Sequence, residues 1–119
     1  MRPDDRDAAW LWDMVESAKT IKKFTTGVSL AQYLDDKKLQ LAIERAVEII
    51  GEAGRRVSDN FRKAHPEIPW RAIIGQRNVL AHEYGEIKQE RLWKVATEKI
   101  PELIVQLEPL IPPPPKPKG

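Results

Sequence analysis

The sequence contains no cysteine, so a disulfide framework, a thiolate nucleophile and a cysteine-based zinc site are all excluded. Glycine is sparse, with six residues, and aromatics make up only 7% of the chain. No apolar run approaches the roughly 20 residues that a helical membrane span needs. An excess of one charge sign is also missing. The formal net charge is +2, and Lys116 and Lys118 near the C-terminus account for it, leaving residues 1–111 neutral. Bulk charge therefore cannot coat nucleic acid, and a nucleic-acid role requires a local patch. Met1-Arg2-Pro3-Asp4-Asp5 lacks the apolar core of a signal peptide, so the expected location is cytoplasmic, with no membrane partner. The 119 residues suit one domain. We expect a helical domain over residues 1–111 and a proline-rich, disordered tail over residues 112–119.

Ala, Leu, Glu, Lys and Arg are abundant, and no useful stretch alternates apolar with polar residues. The pattern predicts an all-α fold. A first helix is expected from about Asp4 to Phe24, with Leu11, Met14, Val15, Ala18 and Ile21 as its apolar stripe and Thr25-Thr26-Gly27 as its stop. A short turn follows over Leu30 to Leu34, capped by Ser29. The longest helix is expected from Asp35 or Asp36 to about Lys63. Its seam is Leu39, Ile43, Ala46, Ile50, Ala53 and Val57, and Leu41, Ala42, Val47 and Ile49 widen it. So broad a face implies more than one neighbour. His65-Pro66-Glu67-Ile68-Pro69 breaks the pattern, and Pro69 opens a helix to about Tyr84, ended by Gly85. A final helix from about Lys88 to Leu110 carries Leu92, Ala96, Ile100, Leu103 and Leu107, with a kink or break expected at Pro101. Four or five such helices with short links make an up-and-down bundle.

The helix after Pro69 carries the unusual chemistry. On an ideal helix Trp70, Ile73, Ile74, Arg77, Leu80, Ala81 and Tyr84 share one stripe, which puts a guanidinium amid apolar neighbours. Two readings stand side by side. Arg77 snorkels or pairs with a carboxylate such as Glu48 or Glu52, or it serves a site. His82 lies about 140° round from Arg77, and a histidine late in a helix commonly caps the last carbonyls. Asn78 shares the side of His82. His65, between Ala64 and Pro66, is a poor place for a fixed catalytic group. Two histidines without a His-Glu-x-x-His pattern make a poor metal-ligand set, and no metal site or cofactor is expected. Six basic residues from Arg55 to Arg77 (Arg55, Arg56, Arg62, Lys63, Arg71, Arg77) outnumber Asp59 and Glu67. They are either a solvated helix end or a patch for RNA.

Arg77-Asn78-Val79-Leu80-Ala81-His82-Glu83-Tyr84 reads Arg-x4-His-x-Tyr and resembles the signature of the HepT-like branch of the HEPN superfamily. The likeness extends to the long helix around Ala42–Ala53, to the His65–Trp70 link and to the last helix around Leu92–Leu103. It covers about residues 5 to 110. The resemblance implies a homodimeric all-α bundle that acts as a metal-independent endoribonuclease toxin. Arg77 and His82 would be catalytic, and Asn78 would support them or bind phosphate. The implied partners are RNA and an MntA-like nucleotidyltransferase antitoxin that adenylylates Tyr84. A contrasting reading is a non-catalytic helical subunit that binds a nucleotide or recruits such a nucleotidyltransferase.

Overall fold

The structure, a computed structural model, describes residues 3–75 and 89–112. Helix α1 spans Asp5–Thr25 and is started by Asp4, whose side chain accepts from the backbone N–H of Asp7. An oxygen ligand of this kind satisfies one of the open donors of the first turn. The helix ends where Thr25 and Thr26 turn their hydroxyls back onto the carbonyls of Ile21 and Lys22. Gly27 then adopts a positive φ of 78°, a conformation nearly free of cost only for glycine. Helix α2, Leu30–Leu34, carries a reciprocal capping box between Ser29 and Gln32. Asp36 caps α3, Lys37–Arg56. Buried Gln40 ties these two helices together by donating to the carbonyls of Tyr33 and Leu34, both at 3.0 Å.

The long helix expected to reach Lys63 is in fact two helices. Helix α3 stops at Arg56, and a separate α4, Asp59–Ala64, is capped by Ser58. The break is set by a partner 51 residues away. Asp7 is buried on α1 and accepts from the Ser58 backbone N–H at 2.8 Å and from its hydroxyl at 2.6 Å. A bent chain satisfies the Ser58 amide through that carboxylate instead of through a helical carbonyl.

Residues 70–75 are helical and form the described part of α5. The chain returns as α6, Gln89–Lys94, a π-helical turn at Val95–Lys99, α7 at Ile100–Leu107, and a final 3-10 turn at Glu108–Leu110. The irregularity expected at Pro101 is taken up in the turn before it. Proline has no N–H and its ring crowds the preceding turn. The helix shifts register ahead of it, so that the Ile100 N–H bonds the Val95 carbonyl five residues back.

Helix α1 lies along α3 on one side and α7 on the other. Leu11, Met14, Val15, Ala18 and Ile21 all face that seam and are fully buried. Ile43, Ala46, Val47, Ile50 and Ala53 answer from α3, and Ala96, Ile100, Leu103 and Leu107 from the last helical stretch. Each large apolar side chain so enclosed contributes roughly 1.5–3 kcal/mol. Among the described residues there is no strand, and no helix is long and apolar enough to cross a membrane. The fold is an all-α, HEPN-like bundle.

Candidate functional site

The entry into α5 is a locked corner. His65 ends α4, its backbone N–H bonded to the carbonyls of Phe61 and Arg62. Its ring is buried, packs on Phe61 at 4.5 Å between centroids, and meets Glu67 Oε1 through Nδ1 at 3.1 Å. The Glu67 carboxyl is held below the usual carboxylate range, first by a backbone N–H and then by the imidazole. Trp70 bridges the corner by donating its indole N–H to the His65 carbonyl at 2.9 Å. Gln106 of α7 donates to the Glu67 carbonyl at 3.1 Å. The sequence suggested a loosely held histidine here. The structure instead fixes His65 firmly, because Phe61 and Trp70 supply a wall that spacing alone does not reveal. From this corner Ile73 reaches the core, passing so close to Gly54 of α3 that a Cβ there would stand 3.4 Å from Ile73 Cγ2.

The return of the chain at α6 is equally fixed. Tyr33, fully buried on α2, donates its hydroxyl to Gln89 Oε1 at 2.5 Å, and Gln89 Nε2 donates to Glu44 Oε2 on α3 at 2.9 Å. The Tyr33 ring also stacks on Trp93, 4.8 Å between centroids. Burial, reinforced by the charge of Glu44, raises the phenol well above its ordinary pKa, so the hydroxyl remains a donor. Gln89 had no distinguishing sequence signal, and Tyr33 only that of an aromatic in a short helix.

Between these two anchors lie Arg77, Asn78, His82 and Tyr84, which fall outside the described residues. The carboxylates named as partners for Arg77 have neighbours of their own. Glu48 pairs with Arg45 at 3.3 Å on the α3 surface, and Glu52 receives Arg56 at 2.9 Å and Arg55 at 3.5 Å. The five other cations do not form one patch. Arg55 and Arg56 are engaged at the end of α3, where the Arg56 guanidinium also lies 5.1 Å from the centre of the Trp10 ring. Arg62, Lys63 and Arg71 instead line a groove between α4 and α5. Among the described residues no three His, Asp or Glu side chains are grouped to hold a metal ion.

The family model described as "Ribonuclease HepT-like" matches residues 14–110. The chain belongs to that family. The matched span runs from the middle of α1 to the final 3-10 turn, so both anchors and the α4–α5 groove of this HepT-like chain lie inside it. It is 41% identical over 101 residues to a protein of Thermococcus cleftensis named "Probable ribonuclease HepT", covering 85% of this chain and 92% of the relative. It is 37% identical over 100 residues to "Putative RNase MJ1380" of Methanocaldococcus jannaschii, covering 84% and 92%. It is also 30% identical to "Putative RNase TTE0752" of Caldanaerobacter subterraneus subsp. tengcongensis, covering 86% and 91%. No solved structure matches the chain significantly.

Proposed function

We propose that this HepT-like chain is an endoribonuclease that cuts RNA without a metal ion, and that it is the toxin of a toxin–antitoxin pair. The observation that carries the reading is an intact Arg77-x4-His82-x-Tyr84 motif inside a family match over residues 14–110. The chemistry needs few parts. The 2′-hydroxyl of one nucleotide attacks its own 3′-phosphate, the bond to the 5′-oxygen of the next nucleotide breaks, and a 2′,3′-cyclic phosphate and a free 5′-hydroxyl result. One imidazole takes the proton from the 2′-hydroxyl, and an acid returns one to the leaving oxygen. The Arg77 fork matches the phosphate oxygens whose charge grows in the transition state. Asn78 orients His82 or bonds the same phosphate.

One His82 cannot be base and acid in the same step. A two-fold homodimer supplies the second. Exposed leucines support such a pairing. Leu41 on α3 is 53% exposed and Leu34 on α2 is 41% exposed, which suits a surface awaiting a second copy. Tyr84, two residues past His82, is the acceptor for AMP from a nucleotidyltransferase antitoxin. The added phosphodiester would occupy the Arg77 donors and exclude RNA by charge and bulk.

The test incubates the purified chain with total RNA in chelator and maps the new ends. Cleavage with cyclic phosphate ends is expected, and His82→Ala should slow it by about 10²–10⁴-fold while remaining folded. Undiminished cutting by folded His82→Ala would remove the mechanism. Total absence of cutting by the wild type would favour the non-catalytic reading.

A further inference from the structure

The groove between α4 and α5 has a composition that the corner itself does not require. Its volume is about 580 Å³, and Arg62, Lys63 and Arg71 converge on it. Lys63 and Arg71 are exposed and, among the described residues, have no carboxylate at ion-pair distance. Arg62 is held in place by Asp59, the one acidic residue of the groove lining, while its Nε makes no hydrogen bond. Three cations against one anion leave a local charge of about +2, which self-repulsion disfavours unless an anionic ligand is present. The far wall is Trp70 and Ile74, so the groove is a narrow trough with a positive lip and an apolar floor.

Its position ties it to the motif. Gly75 lines the groove, and Arg77 follows two residues later, so the two Cα atoms lie within about 7 Å whatever path the chain takes. We propose that this groove holds the phosphodiester backbone of unpaired RNA next to the scissile nucleotide, with Arg62, Lys63 and Arg71 on its phosphates. The inference rests on the ribonuclease reading and names its substrate class. Unpaired RNA is favoured on two grounds. A trough of this width admits one strand and not the convex face of a duplex. Attack by the 2′-hydroxyl also requires oxygen, phosphorus and leaving oxygen in line, a geometry that an A-form duplex backbone does not adopt. The contacts address phosphates, so they position the strand without reading its sequence.

Binding of a short labelled oligouridylate and of a hairpin duplex to the full chain, in the non-cutting His82→Ala background, tests this across a salt series. For single strands the slope of log K against log salt is about −0.7 per phosphate contact, so Lys63→Gln with Arg71→Gln should flatten it by about 1.4. Asp59→Asn should act the other way, tightening binding and steepening the slope by about 0.7 as the Arg62 fork gains a phosphate. A structural role for these residues moves neither slope. Gly75→Leu adds a side chain where a Cβ meets nothing within 4 Å, and it should weaken binding by bulk without unfolding the chain. Unchanged slopes in both charge variants, or tighter binding of the duplex than of the single strand, would overturn the groove assignment. Cleavage by the unmutated chain is scored separately, so failure of the ribonuclease reading is seen as no new RNA ends and failure of the groove as unaltered binding.

Discussion

Removing one oxygen atom, in Tyr33→Phe, tests the anchor that closes the functional segment. The ring stays, with its packing on Trp93 and its place in the core. What is lost is the hydroxyl that donates to Gln89 Oε1, and with it the orientation of the Gln89 amide toward Glu44. A half-buried acceptor left without its donor costs about 1–3 kcal/mol. For a domain of this size a loss of about 2 kcal/mol lowers the melting temperature by roughly 10 °C. Thermal and urea unfolding at neutral pH read the loss directly. Combining Tyr33→Phe with Gln89→Leu removes both polar partners, so the double variant should lose less than the sum of the singles. Alkaline titration gives a second signature. The folded-state pKa of Tyr33 is raised above the unfolded value of about 10. Its stabilising contribution is therefore complete below about pH 10 and declines as the pH rises toward the folded pKa. Wild-type stability should fall above pH 10 more steeply than that of Tyr33→Phe. Equal melting temperatures, or parallel alkaline curves, would refute the relay.

Asp7→Ala should destabilise the chain by about 2 kcal/mol, because the Ser58 amide and hydroxyl lose their shared acceptor; urea unfolding measures it, and far-ultraviolet dichroism should show little change in helix. Gly54→Ala should be neutral or stabilising by up to about 1 kcal/mol, since its Cβ would meet Ile73 Cγ2 and Met14 Cε at ordinary contact distances of 3.4 and 3.5 Å. Gly54→Leu should instead displace α5 and lower RNA cleavage more than it lowers the melting temperature. Mixing His82→Ala with Arg77→Ala protein tests whether the two halves complement across a dimer axis, and partial return of cleavage is the expected result.

The core was largely legible in the sequence. All five residues of the first apolar stripe, Leu11 through Ile21, are fully buried, because a 3.6-residue period points directly at one face. The break between α3 and α4 was not legible. Val57 and Phe61 continue the spacing of four and are both buried, so the apolar phase runs through the corner unbroken. Only the bond from Asp7, distant in sequence, distinguishes two helices from one. That corner also explains why six cations close together in sequence read as a single patch. The turn at Ser58 leaves Arg55 and Arg56 with Glu52 and carries Arg62, Lys63 and Arg71 to another face. The tyrosine–glutamine–glutamate relay has no periodic signature at all, since its three members come from three helices. The motif residues Arg77, Asn78, His82 and Tyr84 lie outside the described residues, and their roles rest on the sequence pattern and the proposed chemistry.

The π-helical turn at Val95–Lys99 makes the length of the last helical stretch unalterable. Leu92, Ala96 and Ile100 are spaced by four and four, and all three are buried. In a regular α-helix each step of four overshoots a full turn by about 40°. The wider turn takes up that drift and delivers Leu103 and Leu107 to the same seam. Deleting one residue from this turn would rotate everything after it by about 100°, turning exposed Val105 and Glu102 toward α1 and the leucines toward water. Homologues and engineered versions of the chain should therefore accept substitutions within 95–99 far more readily than any change in the number of residues there.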